Sequence, residues 1–273
     1  MTVGEVLDAT TAYLASRGVE HPRLDAELLL SRALGLTRIE LYTQHDRPLT
    51  PGEREAAREP VRRRGAREPL AYVLGDWGFR RLTLRTDRRA LVPRPETEVV
   101  VERCLALLDG VPKPRVLDVG TGGGAIALSL AQELPSSTVV ATDASADALA
   151  LAAENAVRLG LEVELREGDL LAGAEGPFDL VVSNPPYVGA DELGALEPEV
   201  RDWEPPAALV DEGQTGRLVD AARAVLDGAL VLEVHADRAA PVVALLEAAG
   251  YDGVEITRDL TGRERVVEGR WTR

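Results

Sequence analysis

Val116-Leu117-Asp118-Val119-Gly120-Thr121-Gly122-Gly123-Gly124-Ala125-Ile126 runs from an apolar strand through a glycine-rich turn into the start of a helix. Glycines at such a turn permit positive φ and let a ligand approach the backbone with no Cβ in the way. Nucleotide-binding sheets of several classes use a loop of this kind, so the stretch decides the fold class before it decides the ligand. Outward from it, strand and helix patterns alternate. Apolar runs predict strands at 115–119, 138–142, 163–166, 178–183 and 229–234, with helices between them at about 124–134, 146–159, 216–227 and 238–249. That alternation predicts an α/β fold with a doubly wound, mostly parallel sheet. Residues 254–259 and 264–271, joined by Leu260-Thr261-Gly262, add a terminal antiparallel hairpin.

Toward the N-terminus the pattern is helical. Val3, Val6, Leu7, Thr10, Tyr13 and Leu14 keep the spacing of an amphipathic helix that Gly18 ends. A second helix spans 24–34 and stops at Gly35. Thr50-Pro51-Gly52-Glu53 reads as a helix start with Thr50 as N-cap, Pro51 at N1 and Glu53 closing a capping box. Pro60 is expected to kink or end that helix. Arg62-Arg63-Arg64 and Arg67 read as a solvated helix face. From Gly75 the period changes: 79–86 alternates, Asp87-Arg88-Arg89 turns, and Ala90-Leu91-Val92 returns, which predicts a β-hairpin. Pro93-Arg94-Pro95-Glu96 leads into a helix that Glu96 or Thr97 opens and that runs through Leu108. The expected organisation is a helical domain over 1–74, a hairpin and linker over 75–98, and the α/β domain over 99–273.

Composition narrows the partners. The 273 residues, 45% hydrophobic and 28% charged, suit a globular chain with a sizeable core. Charges interrupt every apolar run short of a membrane span, and the first residues have neither the basic nor the apolar region of an export signal, so the cytoplasm is the expectation. Net charge is −15, with Lys113 the only lysine. A field of that sign repels a phosphate backbone, which disfavours nucleic acid as the direct substrate. The lone Cys104 excludes an internal disulfide and a cysteine-based zinc site, and no metal is expected.

Three features assemble a cofactor site. The glycine loop comes first. Asp143 ends the next strand, where a carboxylate can accept hydrogen bonds from both hydroxyls of a ribose. Gly168-Asp169-Leu170 follows the third strand, placing Asp169 for an adenine amine and Leu170 against the ring. With Ala125 in the last fingerprint position, the loop pattern alone leaves NAD open. Asp118, just before the loop, suits the cationic ammonium of S-adenosylmethionine better than a pyrophosphate.

Asn184-Pro185-Pro186-Tyr187 settles the choice. It ends the apolar run Leu180-Val181-Val182-Ser183, and two consecutive prolines stop that strand in a stiff turn. The turn holds an amide and an aromatic ring at a strand's carboxyl end, where open α/β sheets bind ligands. The tetrapeptide matches the one by which S-adenosylmethionine-dependent methyltransferases grip a planar amide or an exocyclic amine. Hydride transfer has no use for it.

With these motifs, Arg67-Glu68-Pro69-Leu70-Ala71-Tyr72-Val73-Leu74-Gly75, Leu91-Val92-Pro93-Arg94-Pro95-Glu96-Thr97-Glu98 and 258–265, the chain resembles the release factor glutamine methyltransferases, the HemK/PrmC family, from end to end. The resemblance implies the class I, Rossmann-like form of the sheet and methylation of the glutamine amide in the Gly-Gly-Gln loop of class 1 peptide chain release factors. S-adenosylhomocysteine would be the product, the N-terminal domain would hold the release factor, and a monomer is expected. The implied substrate residues are Asn184, Pro185, Pro186 and Tyr187, with Asn184, Pro185 and Tyr187 catalytic. The implied cofactor residues are Asp118, Gly120, Thr121, Gly122, Gly123, Gly124, Asp143, Asp169, Leu170 and again Asn184. The alternative activity is methylation of another protein glutamine or of an exocyclic amine on a nucleic-acid base. Gly123 stands where the family more often has Ser or Thr, and His235 where many members have Gly.

Overall fold

The computed structural model describes residues 1–171 and 173–272. Contacts divide the chain into two compact units: residues 1–76 with 196–203, and residues 77–195 with 204–273. The first unit is helical, with α1 (Val3–Ser16), α2 (Pro22–Leu34), α3 (Arg38–Thr43), α4 (Pro51–Gly65) and α5 (Leu70–Leu74). Val3, Leu7, Leu14, Leu29, Leu30 and Leu41 fill its core. Thr2, Thr37 and Thr50 each close a capping box, with Glu5, Glu40 and Glu53, so three of these helices start on one chemistry. The sequence reading missed α3, although Thr37-x-x-Glu40 carries the same signature as the start of α4.

Two expectations for this unit are corrected. Pro60 does not end α4, which continues to Gly65. The proline removes one intrahelical donor, but the helix is capped at Thr50, and at its end the Ala66 N–H reaches back to the carbonyls of Arg62, Arg63 and Arg64. The arginine cluster is not simply a solvated face. Arg64 is buried, donating to Asp25 Oδ2 at 2.6 Å and to Glu199 Oε1 at 2.7 Å. Arg67 donates from Nε to Glu199 Oε1 at 2.6 Å and from Nη2 to Oε2 at 2.5 Å. These bonds explain why Leu196–Trp203, with its short helix α9 (Pro198–Arg201), groups with the helical unit rather than with the α/β domain expected over 99–273.

The second unit opens with a hairpin of β1 (Asp76–Phe79) and β2 (Leu82–Arg85). It turns at Arg80-Arg81, with Arg80 at φ 49°, rather than at the expected Asp87-Arg88-Arg89. Arg80 is held there by Glu133 and by the Glu98 carboxylate on its N–H, so side-chain pairing overrode the apparent alternation through 79–86. Then follow α6 (Thr97–Leu107), β3 (Arg115–Val119), α7 (Ala125–Glu133), β4 (Thr138–Asp143), α8 (Ala146–Leu159), β5 (Glu164–Glu167), β6 (Phe178–Ser183), α10 (Gln214–Ala222), β7 (Leu226–Glu233), α11 (Ala239–Ala248), β8 (Asp252–Arg258) and β9 (Glu264–Trp271).

The sheet order is β5-β4-β3-β6-β7-β9-β8, parallel from β5 to β7, with β9 antiparallel to both its neighbours. This is the class I methyltransferase arrangement. Strand periodicity sends Val116, Leu180, Val182, Ala229 and Val231 to one face, against α6 and α7, and Leu117, Val119, Val181, Leu230 and Leu232 to the other. Burial on both faces is why these strands read as continuous apolar runs. Strand order reverses between β3 and β6, so a crevice opens beyond their carboxyl ends. There Val119 pairs with Ser183, whose hydroxyl donates to the Val119 carbonyl at 2.7 Å. Among the described residues no helix is long and apolar enough to cross a membrane.

Candidate active site

β3 delivers the chain into the glycine loop, where Gly120, Gly122 and Gly124 adopt φ of 72°, 57° and 88°. At Gly124 a Cβ would also stand 2.8 Å from Leu128 Cδ1, so both backbone and space require glycine there. Gly123 has no such demand. Its nearest neighbour to an added Cβ is Leu151 Cδ2 at 3.4 Å, an ordinary contact.

Two carboxylates hold the loop. Asp143 Oδ2 accepts the Gly122 N–H at 2.8 Å, and its Oδ1 accepts the Ser145 N–H at 2.9 Å. Asp118 lies buried behind the loop, its Oδ2 accepting from the Thr121 hydroxyl at 2.7 Å and from the Ala127 N–H at 3.1 Å. Among the described residues its buried Oδ1 has no hydrogen-bond partner. Burial pushes the Asp118 carboxyl up to about 7 against the pull of those two hydrogen bonds, and the Asp143 charge adds to the rise.

A cavity of about 460 Å³ opens over the loop, inside the range of roughly 300–1,000 Å³ usual for small-molecule sites. Gly120, Gly122, Asp143, Asp169 and Leu170 of the expected cofactor set wall it, together with Pro185 and Pro186 of the substrate motif. Asp118, Thr121, Gly123, Gly124 and Asn184 do not line it. Asp118 holds the loop through Thr121 and the start of α7. Sequence reasoning missed much of the wall, including the charged residues Arg89, Glu212 and Arg217. Arg89 is held by Asp87 and Glu154, and Arg217 by Asp169 at 2.7 Å. Arg89 sat in a segment read as a turn, and nothing in the local pattern marks Arg217.

The Asp118 carboxylate sets the charge at the start of the helix after the loop. A pyrophosphate needs free N–H groups at the start of the helix after the loop. Here the Asp118 carboxylate occupies the Ala127 N–H, and its unpartnered oxygen favours positive charge nearby. Another hollow, of about 530 Å³, lies on the helical unit between α1 and α4 and contains none of the motif residues.

A neighbouring cavity of about 350 Å³ shares Pro185 with the first and adds Tyr187, Glu233, His235 and Arg238. The Tyr187 and His235 rings meet at 5.8 Å between centroids, tilted by 46°, and the Tyr187 carbonyl accepts from Arg238. His235 thus braces the motif tyrosine with a ring where a glycine would leave space. Asn184, half-buried at the end of β6, donates from Nδ2 to the Thr97 hydroxyl at 3.4 Å. All four residues of the tetrapeptide stand at the carboxyl end of β6 beside the glycine loop.

Asp143→Ala should weaken S-adenosylmethionine binding by about 1.5–3 kcal/mol, the contribution of hydrogen bonds to a charged acceptor. The substitution also frees the Gly122 N–H from its anchor. Titration calorimetry checks it, and unchanged affinity would remove Asp143 from the site.

Comparison with known proteins agrees with this geometry. Residues 5–75 match the family described as the PrmC N-terminal domain, and residues 99–196 match the methyltransferase small domain. A release factor glutamine methyltransferase from Deinococcus radiodurans is 44% identical over 99% of both chains. One from Geobacter sulfurreducens is 44% identical over 98% of this chain and 96% of its own. Among solved structures, the Thermus thermophilus 16S rRNA N2 G1207 methyltransferase, in complex with AdoMet and guanosine, superposes with a TM-score of 0.54 at 18% identity, covering 72% of this chain and 50% of that one. That likeness concerns the fold.

Proposed function

The chain belongs to the release factor glutamine methyltransferases, and we propose that it methylates the side-chain amide nitrogen of the glutamine in the Gly-Gly-Gln loop of class 1 peptide chain release factors. Its cofactor is S-adenosylmethionine, which supplies an electrophilic methyl group on a sulfonium. The observation that carries the reading is the placement of Asn184-Pro185-Pro186-Tyr187. Pro185 belongs to the walls of both cavities, so the motif stands between the cofactor site and a second, aromatic-lined hollow.

An amide nitrogen is a poor nucleophile because its lone pair is delocalised into the carbonyl. The protein's contribution is therefore orientation and charge stabilisation. Asn184 Oδ1 and the Pro185 carbonyl accept the two amide hydrogens. That aims the nitrogen at the methyl and favours the positive charge that grows on it. Tyr187, held by His235 and Arg238, covers the amide plane, and Pro186 keeps the turn stiff. No base has to act before methyl transfer, since the proton can leave afterwards. The helical unit is assigned to holding the release factor, with the enzyme in the compartment where translation terminates.

Incubating the enzyme with labelled S-adenosylmethionine and purified release factor tests this reading. Label is expected on the intact factor, none on a factor whose Gly-Gly-Gln glutamine is replaced by alanine, and none on duplex DNA. Label on DNA but not on the factor would overturn it in favour of a base amine. Label on the alanine variant would point to another glutamine.

A further inference from the structure

Two parts of the cofactor cavity's wall lie outside the sheet: Arg89-Ala90-Leu91, and Pro205 with Ala207 and Ala208. Both are irregular apart from one turn of 3₁₀ helix, Pro206–Ala208. Glu204 joins them. It immediately precedes Pro205, and its Oε1 accepts the Val92 N–H, next to Leu91, at 3.3 Å. Its Oε2 accepts from Arg94 Nη2 at 2.6 Å. The Glu204 side chain is only 1% exposed, so this ion pair is little screened by water and salt.

The segment that Glu204 leads is stiff. Pro205 and Pro206 fix two consecutive φ angles. The Ala208 N–H donates to the Pro205 carbonyl at 2.9 Å and the Leu209 N–H to the Pro206 carbonyl at 3.0 Å. A stiff segment lies where its two ends are held. At the far end the hold is backbone: the Val188 N–H donates to the Leu209 carbonyl, and the Asp211 N–H to the Val188 carbonyl, both at 2.9 Å. Val188 follows Tyr187, so that end is tied to the substrate motif. At the near end the hold is the Glu204 carboxylate.

We propose that Glu204 is a positioning residue for the cofactor: acting through Val92 and Arg94, it staples residues 205–208 to residues 89–92 and closes the wall of the S-adenosylmethionine cavity. The inference rests on the reading of that cavity as the cofactor site. A ligand whose binding needs the closed wall has an apparent Kd divided by the fraction of molecules in which the wall is closed. Loss of the staple lowers that fraction and weakens affinity in proportion. The backbone bonds at Val188 are untouched by a side-chain change at 204, so the motif keeps its place once the cofactor is bound. The cost therefore falls on cofactor affinity and not on the methyl-transfer step.

Titration calorimetry of the full-length enzyme with S-adenosylmethionine, without release factor, reads this directly. Glu204→Gln removes the charge but keeps an oxygen for the Val92 N–H, and Arg94, already 31% exposed, can be hydrated in its place. Its Kd should rise about 10-fold, the order expected for one charge-assisted hydrogen bond. Hydrogen exchange at Val92 and over 207–211 should be faster in the cofactor-free variant than in the cofactor-free parent. At saturating cofactor kcat should stay within about twofold of the parent, as when only uniform binding is lost. Arg94→Met should match Glu204→Gln, and the double variant should cost no more than either alone, because both break one bond. Arg94→Lys, which keeps a cation for that single contact, should restore most of the affinity. Thermal unfolding checks that each variant is folded, and the Arg94 variants carry the test if Glu204→Gln is not. An unchanged Kd in the folded single variants, additive losses in the double variant, or a kcat that falls as far as the affinity would overturn the staple while the parent still binds S-adenosylmethionine. Failure of the parent to bind S-adenosylmethionine would instead overturn the cofactor reading, and the staple with it.

Discussion

Asn184→Ala is expected to lower methyl transfer to the release factor by about 10²–10³-fold, or about 2.7–4 kcal/mol, the cost of removing one preorganised polar group aimed at developing charge. S-adenosylmethionine affinity should stay near that of the parent, because Asn184 does not line the cofactor cavity. What the variant lacks is the acceptor for one substrate N–H, and without it the amide nitrogen is free to turn away from the methyl. The loss should fall on kcat, since the interaction strengthens as the nitrogen acquires charge. Single-turnover kinetics at saturating cofactor separate this from slow product release. Near-normal turnover would remove Asn184 from the reaction, and a matching loss of cofactor affinity would reassign it to the cofactor site.

The sheet was legible because its strands are buried on both faces and so appear as unbroken apolar runs; β3 and β6 fall at the expected residues. The glycine loop and Asn184-Pro185-Pro186-Tyr187 were legible because glycine and proline act on the backbone they occupy, with little help from the rest of the fold. Partnerships between distant side chains were not. That Asp118 would bond the Thr121 hydroxyl and the Ala127 N–H does not show in the strand and loop pattern. Arg64 and Arg67 looked like neighbours on a wet helix face because their partner, Glu199, comes 135 and 132 residues later.

That last pairing bears on how the helical unit is built and tested. Leu196–Trp203 belongs to the connection between β6 and α10 that begins with the substrate motif, yet it packs as part of the helical unit. A truncation at residue 74 would strand this segment without Arg64 and Arg67, so it is not a clean removal of one domain.

A point substitution asks the question better. Arg64→Ala should destabilise the helical unit by about 3–5 kcal/mol, the cost of breaking a buried ion pair from one side. Arg64 bridges two carboxylates, Asp25 at 2.6 Å and Glu199 at 2.7 Å, and also donates to the Glu68 carbonyl at 3.1 Å. Its removal leaves Asp25 buried with no counter-ion, while Glu199 keeps Arg67. Burial raises the Glu199 carboxyl, but hydrogen bonds from Arg67 and Arg64 outweigh it, and the net shift is downward. A carboxyl held below its ordinary value contributes stability above that value and loses it as the pH falls through the lowered one. The wild-type advantage over Arg64→Ala should therefore shrink on acidification below the ordinary carboxylate range. Hydrogen exchange of the α2 and α4 amides reads the local stability without assuming that both units unfold together. Arg64→Met combined with Asp25→Asn should recover part of the loss, because it removes the orphaned charge rather than exposing it. A loss in Arg64→Ala below about 1 kcal/mol, the level of an exposed surface pair, would mean that these arginines are solvated after all and that Glu199 does not hold the segment.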